Sequence, residues 1–305
     1  MKSKKIVSII GAIAIIGYLA ILGISKATAS TIPTVAIIDT GYDPSVTQFA
    51  GKIVAEQCYT SFFASCPNEK STMSGMGSAA LSPAQLLVSG TGHGSEMMAG
   101  EIATNPNINF VYIRAFSIET KPSVMLSPYD SDLPKILDWI AANASTYNIR
   151  AVAMSFARPV SGSCPTNATL ALSTSKLTSL NIPVFAGAGN EGNQNSIDFP
   201  ACNTGIISVG GQINNMPAYW SNYSPSIGWD ANGALTVNSV GNKPVTSVGT
   251  SIATQISAAS WVTISQAKPS LNYQQIYSLI RSTATLSSSC CAKNVPTLNL
   301  TAALK

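Results

Sequence analysis

Five short runs of apolar residues constrain this chain more than any other feature: 34–38, 109–113, 150–154, 182–186 and 205–209. The first reads Thr34-Val35-Ala36-Ile37-Ile38. Each run is short for a helix, and its apolar residues follow one another instead of alternating. A strand of that kind needs cover on both faces. Helical spacing appears between the runs. Leu133, Ile136, Leu137 and Ile140 keep it within 131–148, and Leu170, Leu172 and Leu177 keep it less cleanly within 166–180. Strands alternating with helices predict an α/β domain with a parallel sheet and helices on both faces. Residues 44–90 show no period and read as a loop-rich insertion. Residues 211–248 are turn-rich and read as short surface strands.

The rest of the chain suits such a core. Of 305 residues, 46% are hydrophobic and only 10% are charged, which argues against disorder. The N-terminus has a different character. Lys2, Lys4 and Lys5 precede an apolar run from Ile6 to Ile24, and Ala27-Thr28-Ala29 supplies small residues of the cleavage-site type. Residues 1–29 therefore read as a signal peptide, or as an uncleaved membrane anchor, since the run is nearly long enough to span a bilayer. The domain expected to follow is 30–305. The formal charge of +4 falls to zero once the lysines of that leader, Lys26 included, are removed. No basic patch remains to suggest a nucleic-acid partner. The protein is expected to be exported, and to meet a membrane only if the leader stays attached.

Cys58, Cys66, Cys164, Cys202, Cys290 and Cys291 make an even set behind an export signal, which favours disulfides. Six cysteines allow 15 connectivities. The spacing suits a Cys58–Cys66 loop staple. No C-x-x-C pattern suggests zinc.

Four local patterns carry chemistry. Asp39 ends the first apolar run and is followed by Thr40-Gly41. A carboxylate at the end of a buried strand requires partners, and strand ends line the ligand crevice of open α/β sheets. The single histidine, His93, sits in Gly92-His93-Gly94-Ser95 at the head of a small-residue helix. Ser251 lies in Gly249-Thr250-Ser251, before a buried helix on which Ile252, Ile256, Ala259 and Thr263 share a face. Asn190 closes the glycine-rich segment Gly187-Ala188-Gly189-Asn190, where an amide donor could meet an oxyanion. Each pattern also has a plain reading as a turn former, an isolated histidine or a helix cap.

Together, in the order Asp, His, Asn, Ser, they resemble the subtilisin-like serine proteases. That order separates the family from chymotrypsin-like and α/β-hydrolase enzymes. The resemblance runs over about residues 34–266 and implies a doubly wound parallel sheet with helices on both faces. It implies that Ser251 is the nucleophile, His93 the general base and Asp39 the residue that orients it. Asn190 with the Ser251 backbone N–H would form the oxyanion hole. Ser155, Phe156 and Ala157 would pair with a polypeptide substrate by β-augmentation, with Gly187, Ala188 and Gly189 as neighbouring walls. The resemblance also raises structural calcium, without indicating ligands.

This chain departs from the family pattern in places. Ser95 stands where the family has Thr, and Thr254-Gln255 replaces Ser/Thr-Pro, which is expected to relax a helix kink. Ala157 and Arg158 replace glycines of the edge segment. Only nine residues separate Ala29 from Asp39, too few for the usual inhibitory propeptide. Two other functions compete. An aspartic protease would need a second carboxylate beside Asp39-Thr40-Gly41, and a degenerate protease would bind peptides without cutting them.

Overall fold

The structure is a computed structural model that describes residues 31–289 and 292–305. The expected leader, 1–29, and the pair Cys290 and Cys291 lie outside the described residues. The first half contains β1 (Thr34–Asp39), β2 (Ile53–Tyr59), β3 (Thr72–Ser74), α1 (His93–Thr104), β4 (Asn109–Arg114), β5 (Ser117–Thr120), β6 (Ser123–Leu126) and α2 (Asp132–Asn143). Next come β7 (Ile149–Met154), α3 (Ala168–Ser179), β8 (Val184–Gly187), β9 (Ile206–Ile213), β10 (Met216–Pro217), β11 (Trp229–Asn232) and the pair β12 (Ala234–Asn238) and β13 (Pro244–Val248). The chain ends with α4 (Thr250–Ala267), α5 (Tyr273–Thr283), β14 (Thr285–Ser287), β15 (Val295–Thr297) and α6 (Leu300–Leu304).

The main sheet has β2, β4, β1, β7, β8, β9, β11 and β15 side by side in that order, all parallel. Antiparallel β3 and β14 close its two edges. Because side chains alternate across a strand, each apolar run feeds two cores. Val35 and Ile37 of β1, Phe110 and Tyr112 of β4, and Ala151 and Ala153 of β7 enter one cluster with Met98 of α1 and Trp261 of α4. Their neighbours Ala36, Ile38, Val111, Ile113, Val152 and Met154 enter another, with Leu137 of α2 and Leu177 of α3. This two-sided burial is why the runs are continuously apolar. β1 has β4 and β2 on one side and β7, β8 and β9 on the other. The strand order therefore reverses beside β1, where open α/β sheets form their ligand crevice.

Two sequence expectations are corrected. The segment 44–90 is not all loop, because β2 within it is a parallel strand between β4 and β3. Its polar residues hide it. Glu56 is buried and accepts hydrogen bonds from Tyr42 Oη at 2.8 Å and the Ala79 N–H at 2.9 Å, while Gln57 accepts one from Ser74 Oγ. In 211–248 only β12 and β13 form a separate surface pair. β9 runs on to Ile213, and β11 lies inside the sheet with Trp229 fully buried. There the Trp229 Nε1–H donates to Ser257 Oγ at 3.0 Å. No helix among the described residues is long and apolar enough to cross a membrane.

Two disulfides tie loops to this frame. Cys58–Cys66 pins the end of β2, and Cys164–Cys202 joins the loops flanking α3 and β9. By loop-closure entropy they are worth about 2.5 and about 4 kcal/mol.

Candidate active site

The C-terminal end of β1 and the N-terminus of α1 are stitched together at successive positions. Asp39, fully buried, accepts hydrogen bonds on Oδ1 from the Thr40 N–H at 2.7 Å and from His93 Nδ1 at 2.8 Å. Thr40 Oγ1 accepts from the Gly94 N–H at 3.0 Å and donates to the Thr91 carbonyl. The Asp43 N–H donates to Ser95 Oγ at 2.9 Å. Helix N-termini need partners for their first N–H groups, and α1 takes one from another element. The residue at its cap, Gly92, offers no side chain. Gly94 also permits close packing. A Cβ there would come within 3.0 Å of Thr40 Oγ1, and closer still to Tyr112 Oη and the Gly41 carbonyl.

A carboxylate can only accept, so the hydrogen between Asp39 and His93 belongs to Nδ1, and Nε2 of the neutral ring carries the lone pair. The His93 side chain is 30% exposed and reaches the surface of the crevice. Burial pulls the imidazole pKa down. The charge and hydrogen bond of Asp39, assisted by the charge of Glu96, outweigh that and hold it above the usual 6.5.

α4 is seated in the same way. Gly249, with φ of 148°, turns the chain into the helix. The first helical N–H, of Thr250, donates to Asn190 Oδ1 at 2.9 Å. With Oδ1 fixed, the Asn190 N–H₂ is the part of the amide left to face a ligand. Ser251 follows. Its hydroxyl donates to the Ser155 carbonyl at 3.0 Å, and Ser155 Oγ donates back to the Ser251 carbonyl at 3.0 Å. Met154 pairs with Ile38 of β1 and with Ala186 of β8. Asp39, Ser155 and Gly187 thus continue three adjacent strands at the same end of the sheet. His93 is bonded to Asp39 and Ser251 to Ser155, and Asn190 is bonded to the start of α4, so all five residues are carried by elements that meet at this end of the sheet.

The expected substrate segment leaves the sheet after Met154. It pairs again only at Arg158, whose N–H and carbonyl bond Phe199. Phe156 is half-buried and meets Phe116 edge-to-face at 5.7 Å. Gly187 faces Thr250, and the Ala188 side chain is packed in the core. What 187–189 can offer a substrate is therefore backbone.

Sequence reasoning overlooked three contributors. Thr40 was visible only as the hydroxyl of Asp-Thr-Gly. Glu191 Oε2 accepts from the Asn190 N–H at 2.9 Å and from Asn222 Nδ2 at 2.8 Å, which braces the loop that carries Asn190. Asp198, buried beneath that loop, has a pKa raised to about 7, first by burial and then by the neighbouring Glu191 carboxylate. No local pattern marks either acid. Two grooves of about 610 and 520 Å³ lie beside Phe62, Tyr129 and Arg158 and beside Tyr223 and Arg281, and neither is lined by Asp39, His93, Asn190 or Ser251. Chemistry, and not cavity size, picks out the site. Among the described residues no three His, Cys, Asp or Glu side chains converge to hold a metal ion.

A carboxylate, an imidazole, a hydroxyl and an amide lie at the strand ends of a doubly wound sheet. Comparison with known proteins gives the family. The chain belongs to the Subtilase family, whose model matches residues 31–301. A thermostable alkaline protease of Halalkalibacterium halodurans is 34% identical over 127 residues, covering 41% of this chain. The match spans about a third (35%) of that relative's length. Similar folds include a protease from Pseudoalteromonas arctica, with a TM-score of 0.69 and 20% identity over 89% of both chains. A cold-adapted subtilisin-like serine proteinase gives 0.65 and 20% over 87% of both. The prenylagaramide maturation protease gives 0.67 and 16% over 90% of this chain and 94% of its own.

Proposed function

We propose that this protein is a serine endopeptidase in which Ser251, His93 and Asp39 act as a triad on polypeptide substrates. The observation that carries this reading is the 2.8 Å bond from His93 Nδ1 to the buried Asp39, at the strand end where Ser251 and Asn190 also meet. Asp39 fixes the ring with Nε2 as the basic nitrogen. His93 takes the Ser251 proton as the hydroxyl attacks the scissile carbonyl, then delivers it to the leaving amine, giving an acyl-enzyme that water hydrolyses by the same steps. The carbonyl oxygen becomes an oxyanion, met by the Asn190 side-chain N–H₂ and the Ser251 backbone N–H near the positive end of α4. Substrate backbone pairs along Ser155, Phe156 and Ala157, with 187–189 opposite.

The site favours this over both alternatives. Asp39 is bonded to an imidazole and not to a second carboxylate, as an aspartic protease requires. The four positions a degenerate protease would have lost are all filled. The two disulfides suit an oxidising, extracytoplasmic location. The test is labelling with a fluorophosphonate, followed by peptide mapping. Modification at Ser251, absent in Ser251→Ala and in His93→Ala, is expected. Hydrolysis by an unlabelled enzyme, or full activity of Ser251→Ala, would remove the serine mechanism.

A further inference from the structure

α4 carries a buried amide one turn beyond Ser251. Gln255 is fully buried, on a helix whose Ile252, Ala253, Ala258 and Ala259 are fully buried as well. Its Nε2 donates to Ser155 Oγ at 2.5 Å. The Ser155 hydroxyl has a single hydrogen, which it gives to the Ser251 carbonyl at 3.0 Å. Ser251 Oγ in turn gives its only hydrogen to the Ser155 carbonyl at 3.0 Å. The three residues form one directed chain: Gln255 amide to Ser155 hydroxyl, Ser155 hydroxyl to Ser251 backbone, Ser251 hydroxyl to Ser155 backbone.

Stability does not explain Gln255. Its Oε1 has no hydrogen-bond partner. An unpaired buried acceptor costs at least as much as the one hydrogen bond contributes, and an apolar side chain of the same length would avoid that cost. A buried amide that is only half satisfied requires another explanation. Its partner supplies one. Ser155 is the residue whose carbonyl receives the Ser251 hydroxyl hydrogen. While that hydrogen points to Ser155 it cannot point to Nε2 of His93, because a hydroxyl has one donor.

We propose that Gln255 is a positioning residue for the nucleophile: acting through Ser155, it holds the Ser251 hydroxyl parked on the Ser155 carbonyl and away from His93. This rests on the reading of Ser251 as the nucleophile. Accepting from Gln255 makes the Ser155 hydroxyl a better donor to Ser251, since chained hydrogen bonds polarise one another. The reciprocal Ser155–Ser251 pair is thereby held closed. A peptide lying along Ser155–Ala157 brings its own N–H to the Ser155 carbonyl and competes with the hydroxyl there. A small reagent without such an N–H meets the parked serine.

The experiment compares Gln255→Met, Ser155→Ala and the double variant with the unaltered protein. It reads the second-order rate of labelling by a small alkyl fluorophosphonate beside kcat and KM for a peptide. One net hydrogen bond corresponds to a factor of about two to ten. Gln255→Met and Ser155→Ala should each speed small-reagent labelling by about that factor, with a smaller change in peptide kcat. The double variant should exceed neither single, because both cut the same chain. Unchanged or slower labelling in the single variants, or effects that multiply in the double, would overturn the proposal. If Gln255→Met does not fold, Ser155→Ala alone decides by the same readings. Failure of the unaltered protein to label at all would instead defeat the serine-protease reading.

Discussion

Replacing Gly94 by alanine tests whether close packing at the start of α1 sets the geometry of the site. The added Cβ would lie 3.0 Å from Thr40 Oγ1, and nearer still to Tyr112 Oη and the Gly41 carbonyl. None of the three is free to move. Tyr112 is fully buried and its hydroxyl donates to that same Gly41 carbonyl at 3.0 Å, while Thr40 Oγ1 accepts from the Gly94 N–H. Overpacking of this kind costs about 1–3 kcal/mol, and the rigid neighbours place it near 3. Alanine recovers up to about 1 kcal/mol of helix propensity. The net loss of about 2 kcal/mol corresponds to a Tm lowered by about 3–4 °C in a domain of this size. The strain falls on residues 39–41, so Asp39 and His93 shift with it. A 1 Å displacement costs about 10²-fold in rate, and kcat should fall at least about tenfold. Gly100→Ala on the same helix is the comparison, because its Cβ would meet only the side-chain end of Ile252, with no backbone or hydrogen-bonded group of the site. Thermal unfolding and kcat per fluorophosphonate-titrated site measure both effects. Equal Tm values for the two variants, with kcat unchanged in Gly94→Ala, would refute the argument.

Other expectations follow from the same geometry. Asn190→Ala should lower kcat by about 10²–10³ with little change in KM, the loss that removing one oxyanion-hole donor causes in subtilisin. Because the Thr250 N–H loses its acceptor, the variant should also lose about 1 kcal/mol of stability, so kcat must be read per folded molecule. Asn190→Asp should be slower still. The raised imidazole pKa of His93 puts the acid limb of kcat/KM above pH 6.5, with activity rising as the ring loses its proton, and Asp39→Asn should lower that midpoint. Asp198 ionises near 7 in the folded chain against 3.8 unfolded, so its contribution to stability falls as pH rises between those values. Asp198→Asn should therefore compare more favourably with the parent protein at pH 8 than at pH 5 in chemical denaturation. Reduction of the disulfides should lower Tm, and thiol titration of the denatured, unreduced protein should find Cys58, Cys66, Cys164 and Cys202 blocked.

The strands legible in the sequence are those buried on both faces. β1, β4 and β7 appear where the apolar runs stand, within a residue at each end, because no charged, amide or small hydroxyl side chain interrupts 35–38, 110–113 or 151–154. β2 escaped because Glu56 and Gln57 sit in its middle, and their partners Tyr42, Ala79 and Ser74 come from other parts of the chain. α5 does carry a local mark, the Asn272-x-x-Gln275 capping box. Asp39, His93, Asn190 and Ser251 were legible as short patterns in a fixed order. Gln255 looked like a lost proline kink, and its bond to Ser155 could not be read across 100 residues of sequence. The braces formed by Thr40, Glu191 and Asp198 stayed hidden for the same reason. Pairing across elements leaves no period.

The way α1 and α4 are seated bears on when activity can arise during folding. The N–H of Gly94 is taken up by Thr40, 54 residues earlier, and that of Thr250 by Asn190, 60 residues earlier. Neither helix start is complete until a distant loop has closed onto it. Closing such loops is the slow part of building a protein rich in non-local contacts. A chain part-way through folding, or emerging from a ribosome, has these helices unanchored and its histidine and serine out of register. On the serine-protease reading, the catalytic geometry is complete only once β1, β8 and both helices have come together.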